Sequence, residues 1–141
     1  MNIICLILAR KGSVRIKNKN LLKIKNKSLV ERSILFSKKI INPDKIILST
    51  DSQRIRKLGI KHGINATDLR PENISKSNTS SYKSAIYEIN KYEKKYSKVD
   101  AVILLQPTTP FRSITTFRKL FKIFTKYPKK PLITIKKIKL K

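Results

Sequence analysis

Negative charge is nearly missing from this sequence: eight Asp and Glu stand against 34 Lys and Arg in 141 residues, for a formal net charge of +26. With so few acids, no two carboxylates form an evident metal-binding pair. Asp51, at the end of an apolar run, is the one best placed to touch a ligand or cation. Cysteine and histidine each occur once. Cys5 therefore has no partner for an internal disulfide, and its place inside an apolar run reads as a small core residue. His62 ends a predicted surface helix, where it reads as a cap. Without a Cys/His cluster or a Ser-His-Asp arrangement, zinc-finger and triad chemistry are excluded. No apolar run approaches the roughly 18 to 20 residues of a membrane span. No basic segment precedes the first apolar run, as a signal peptide would require. The expectation is a cytoplasmic protein with no membrane partner.

What is abundant is lysine, together with isoleucine and asparagine. That joint bias is what an AT-rich coding sequence produces, and the lysines are spread over nearly every segment. A basic chain still favours polyanions, so nucleic-acid binding stands as a rival reading. Forty per cent of residues are apolar, enough for a packed core. The length suits a single domain over residues 1–141.

Three apolar, β-branched runs read as buried strands: 3-IICLILA-9, 46-IILST-50 and 101-AVILLQ-106. A fourth, 132-LITI-135, follows two prolines. Between the strands lie helical patterns. Residues 28–40 open with Ser28 and Glu31 at capping-box spacing. Residues 52–63 form a short helix ending near Gly63. Residues 79–96 place Tyr82, Ile86 and Ile89 on one stripe, and residues 113–127 carry a Phe stripe at core spacing. Strands alternating with helices predict an α/β layer structure with a mainly parallel sheet. Such sheets bind ligands beyond the carboxyl ends of their strands.

That rule selects four places. The loop 9-ARKGSVRIKNKN-20 follows the first strand. Gly12 permits a turn whose backbone N–H groups cradle anionic oxygens, while Arg10, Arg15 and Lys19 supply charge. A single glycine satisfies neither the Walker nor the dinucleotide spacing, so a phosphate site and a solvated basic turn both remain open. The turn 49-STD-51 is the second place. The third joins Arg70, held extended before Pro71, to 77-SNTSS-81, where Ser80 and Ser81 serve either as helix caps or as anion donors. The fourth is 104-LLQPTTPFR-112, in which Gln106 either meets a polar ligand or ties down a rigid connector.

Taken together these motifs resemble the N-terminal part of the acylneuraminate (CMP-sialic acid type) cytidylyltransferase family. The family's opening motif, roughly A-R-x-G-S-K-R-I/L-P-x-K-N, is matched at Ala9, Arg10, Gly12, Ser13, Arg15, Ile16, Lys19 and Asn20. Its S-T-D stands at 49–51, its L-R-P at 69–71, its serine-rich helix start at 79–81 and its L-L-Q-P-T-S/T-P at 104–110. The resemblance implies a three-layer, Rossmann-like nucleotide-diphospho-sugar transferase fold, left incomplete at the C-terminus. It implies transfer of CMP from CTP to a nine-carbon sugar acid of the sialic type, with release of pyrophosphate. Arg10 and Lys19 would be catalytic. Ala9, Arg10, Gly12, Ser13, Arg15, Lys19, Asn20, Arg70, Ser80 and Ser81 would hold the nucleotide, and Gln106 and Thr108 the sugar. The resemblance also implies Mg²⁺, whose ligands, like the family's homodimer element, fall beyond residue 141, as in a truncated or split member.

The chain departs from the family pattern at Val14, where a lysine is usual, at Lys17, where a proline is usual, and at Ser77, where an acid is usual. Three alternatives accompany this reading: an inactive nucleotide-binding remnant, a 3-deoxy-manno-octulosonate cytidylyltransferase, and a basic nucleic-acid-binding module. The last predicts exposed aromatics interleaved with lysine.

Overall fold

A computed structural model of the chain describes residues 1–12, 16–66 and 68–134. Along it run β1 (Ile3–Leu8), β2 (Lys23–Ile24), β3 (Lys27–Ser28), α1 (Leu29–Ser37), β4 (Ile46–Ser49), α2 (Gln53–Lys61), α3 (Ser81–Lys95), β5 (Ala101–Leu105) and α4 (Ile114–Lys126). Residues Met1–Phe111 and Arg112–Lys141 form two compact units.

In the first unit β1 lies at the centre of a parallel sheet ordered β4-β1-β5. Cys5 sits opposite Ile46 and Ile103, and Leu6 opposite Ile47 and Leu104. A strand paired on both edges and covered on both faces must be apolar throughout, which is why β1 lacks alternation. Its side chains nevertheless divide by the period of two. Cys5 and Ile7 join Ile46 and Leu48 in a core with Val30 and Ile34 of α1 and Ile55 of α2. Ile4 and Leu6 join Ile47 in a second core with Ala85, Ile89 and Tyr92 of α3. The sheet is thus the middle of three layers, the α/β architecture expected.

Local signals fix the helix starts. Ser28 accepts the Glu31 N–H at 3.2 Å while the Glu31 carboxylate accepts the Ser28 N–H at 3.3 Å, the capping box read from the sequence. Ser52 caps α2 through the Ile55 N–H. That helix ends at His62, and Gly63 follows at φ 69°, a left-handed conformation suited to glycine. His62 Nε2 lies 3.4 Å from Glu31 Oε1, so the side chain ties α2 to α1.

Helix α3 departs from the expected stripe. Tyr82 is 73% exposed, and the buried positions are Ser84, Glu88 and Tyr92. The helix is turned by polar anchoring: Ser84 Oγ donates to the Ile74 carbonyl at 3.3 Å, and Lys45 Nζ donates to Tyr92 Oη at 3.0 Å. Before α1, β2 and β3 form a small antiparallel hairpin around Lys25 and Asn26, both at positive φ. This matches the two-residue turn whose twist suits a hairpin.

In the second unit Ser113 caps α4 by accepting the Thr116 N–H at 3.2 Å. None of the helix's residues is buried within the described structure. Phe121 packs on Phe117 and on Phe124, with ring centroids 5.9 and 6.3 Å apart. The fourth strand expected at 132-LITI-135 is not found at residues 132–134, which have no regular structure, and Ile135 lies outside the described residues. An apolar tetrapeptide becomes a strand only beside a strand that takes its hydrogen bonds, and the parallel sheet described here has three members.

Candidate functional site

The three parallel strands end side by side, and each hands the chain to a loop at the same edge. After β1 the Ala9 N–H donates to the Ser49 carbonyl at 2.9 Å, continuing the ladder by one rung. The loop then turns away. The Lys11 N–H donates to Asp51 Oδ1 at 2.5 Å, and Asn20 Nδ2 donates to the Arg10 carbonyl at 2.9 Å. A 3-10 turn at Lys19–Leu21, entered through Asn18 in the left-handed region, returns the chain and brings Lys19 alongside Arg10.

After β4 the buried Thr50 gives its carbonyl to the Arg70 N–H at 2.7 Å. Pro71 follows, and Ser75 Oγ donates back to the Pro71 carbonyl at 2.8 Å, which folds residues 70–75 into a tight wall. Helix α3 starts next to that wall. After β5 the chain turns at once, with the Thr109 N–H on the Gln106 carbonyl at 3.0 Å.

Between these loops lies a cleft of about 260 Å³. Arg10, Gly12, Lys19, Asn20 and Arg70 line it. Its lining is also rich in hydroxyl groups, with Ser75, Ser77, Thr79, Ser81 and Ser84, and includes Gln106 and Thr108. No carboxylate lines it. Arg70 is only 6% exposed, and its Nε has no hydrogen-bond partner among the described residues. Burial pushes the Arg70 guanidinium below its ordinary value and the charge of Arg10 adds to that, while Asp51 and Glu88 oppose it. Arginine stays charged even so. Two guanidinium groups on a cleft lined by no described carboxylate favour an anion there.

Of the residues singled out in the sequence, Arg10, Gly12, Lys19, Asn20, Arg70, Ser81, Gln106 and Thr108 meet on this cleft. Ala9, Ser80 and Asp51 do not line it. Ala9 is fully buried beneath the loop, and the Ser80 hydroxyl is used as the N-cap of α3, accepting the Lys83 N–H at 3.2 Å. Ser13 and Arg15 lie outside the described residues. Sequence reasoning missed Ser75, Lys76 and Ser84 in the lining. Their signal was the run of hydroxyl residues from 75 to 84, of which only the part nearest the helix start drew notice. Asp51, expected to touch a ligand or cation, faces the Lys11 N–H. Among the described residues no group of three or more His, Cys, Asp or Glu could hold a metal. No described helix is long and apolar enough to cross a membrane.

Known proteins resemble this chain in sequence and in fold. The chain is 30% identical over 141 residues to the CMP-N,N'-diacetyllegionaminic acid synthase of Legionella pneumophila, a match over all of this chain and 60% of that protein. It is 30% identical over 122 residues to the N-acylneuraminate cytidylyltransferase of Escherichia coli O18:K1:H7, covering 86% of this chain and 28% of that protein. The chain thus spans less than two thirds of each of these relatives. The solved structure of a CMP:2-keto-3-deoxy-manno-octonic acid synthetase complexed with CTP superposes with a TM-score of 0.74 at 20% identity, over 93% of this chain and 50% of that one, and so shares its fold. The sequence model described as Cytidylyltransferase matches residues 4–139, nearly the whole chain. A parallel α/β sheet with a cationic cleft at its strand ends is here the framework of a member of the cytidylyltransferase family.

Proposed function

We propose that the cleft binds the triphosphate of CTP, and that the chain provides the nucleotide-binding part of an enzyme joining CMP to a sialic-acid-like 2-keto sugar acid. The observation that carries this reading is Arg70: a buried guanidinium with an unused Nε, facing Arg10 and Lys19 in a cleft without carboxylates. In the reaction the sugar's anomeric hydroxyl oxygen attacks the α-phosphorus in line. The bond from that phosphorus to the bridging oxygen breaks, pyrophosphate leaves with the bonding electrons, and the hydroxyl proton passes to solvent. Negative charge builds on the phosphate oxygens, so fixed cations nearby lower the barrier without reorganising. Arg10 and Lys19 fill that role, and Arg70 orients the nucleotide. The serine and threonine lining suits the polar edges of base and ribose, and Gln106 and Thr108 the sugar acid. The relatives' names, which include legionaminic and N-acylneuraminic acid, support a nine-carbon acceptor.

Thermal unfolding with CTP, ATP, GTP and UTP tests the nucleotide site. CTP at 100 times its dissociation constant is expected to add about 2.7 kcal/mol, a rise in Tm that the other three do not match. The Arg70→Ala and Arg10→Ala variants are each expected to weaken CTP about tenfold or more, the loss of a hydrogen bond to a charged group. Equal shifts with all four nucleotides, or CTP binding that ignores both substitutions, would overturn the assignment. Pyrophosphate release with sialic acid against the eight-carbon acid then decides the acceptor.

A further inference from the structure

We propose that Asp51 is a positioning residue whose carboxylate, by accepting the Lys11 N–H, fixes the turn bearing Arg10 and Gly12 against the end of β4, opposite Arg70. The inference rests on the reading of the cleft as a triphosphate site. It begins from ladder geometry. In a parallel pair, hydrogen bonds from one strand recur every second residue. The Ala9 N–H reaches the Ser49 carbonyl, so the next rung would join the Lys11 N–H to the carbonyl of residue 51. That rung is made, but by the Asp51 side chain at 2.5 Å.

The substitution of side chain for main chain has a local cause. The chain leaves β4 at Thr50 to start α2, with Ser52 already its N-cap, and the backbone of residue 51 turns away from β1. A carboxylate reaches back where the carbonyl does not. The same three residues also anchor the opposite cation, because the Thr50 carbonyl accepts the Arg70 N–H. One turn, 49–51, therefore sets the spacing between the two cationic backbones. Asn20 completes the clamp by donating to the Arg10 carbonyl. Asp51 does not line the cleft, so it acts through the loop and not on the ligand. Its negative charge also offsets the desolvation of Arg70, which is a separate role that a variant can isolate.

Asp51→Ala removes both the acceptor and the charge, whereas Asp51→Asn keeps an Oδ1 acceptor and removes only the charge. Titration with CTP and with inorganic tripolyphosphate is the binding readout, and hydrogen exchange of the Lys11 amide in the free protein reads the brace directly. In Asp51→Ala both ligands should bind about tenfold more weakly, and the Lys11 amide should exchange faster. Asp51→Asn should bind as tightly as the wild type or more so, with the Lys11 amide still protected. Unchanged or tighter binding in Asp51→Ala, or equal losses in both variants, would overturn the proposal, since the charge alone would then account for Asp51. If the wild-type protein binds neither ligand, the triphosphate reading falls. Lys11 exchange in Asp51→Ala against wild type then still decides whether the brace exists.

Discussion

At the scale of single residues the molecule's strangest choice is Glu88, a carboxylate 6% exposed on the buried face of α3 in a chain with few acids. Burial pushes its carboxyl above the ordinary range. The Ser49 hydroxyl, Lys91 and Arg70 pull it back only in part, and Asp68 adds to the rise. The folded state thus holds this proton more tightly than the unfolded chain does. Stability from this group is fully present below the unfolded value, about 4.3 for Glu, and is lost as pH rises through the raised native value. Gln imitates the protonated form. Glu88→Gln is therefore expected to melt higher than wild type at pH 7 to 8, with the difference closing below about pH 4.3; an equal difference at every pH would refute this. Nothing in the sequence announced Glu88. Helical spacing places side chains on a face but does not say that a buried arginine from elsewhere will meet them. Arg70 itself was legible, because Pro71 forces the preceding residue to extend.

At the scale of elements, helix α2 depends on contact too close for a side chain. A Cβ built on Gly59 would stand 2.6 Å from Ala66 Cβ and 2.7 Å from Leu48 Cδ2. Leu48 is 2% exposed in the core between α2 and the sheet, with no room to retreat. Alanine would gain up to about 1 kcal/mol of helix propensity, but overpacking a filled core costs about 1 to 3 kcal/mol. Gly59→Ala should therefore lower the urea midpoint at unchanged m-value, whereas an unchanged or raised midpoint would show that α2 can shift outward. The central strands and all four helices were readable because each carried its own signal: a β-branched run, a cap, or a 3.6-residue period. The β2–β3 hairpin was not, since Lys25 and Asn26 adopt positive φ without the glycine that usually marks such a turn. Residues 132–134 failed for the opposite reason: their composition suits a strand, but pairing is not a property of a tetrapeptide.

At the scale of the whole molecule, a net charge of +26 acts on folding and on binding with opposite sign. Self-repulsion opposes the compact state, while the same positive charge attracts polyphosphate. Raising salt from about 0.01 to 0.15 M shortens the screening length from about 30 to about 8 Å. The Tm of the free protein is expected to rise over that range while CTP affinity falls; a Tm that drops with added salt would mean that the lysines are held in net-favourable pairs. The cleft was legible at this scale because strand ends, loop glycine and cations all lay in quoted motifs. Its hydroxyl lining was only half seen, since the fold back from Arg70 to Ser84 depends on contacts between segments. The sheet order also has a consequence in time. The first strand of the chain is the central one, and its partners arrive at Ile46 and only at Ala101. No register of the sheet can close locally, so an apolar strand waits for partners about forty and about a hundred residues downstream. A topology so dominated by distant pairing folds slowly, and leaves Ile3–Leu8 the segment longest exposed to the wrong neighbour.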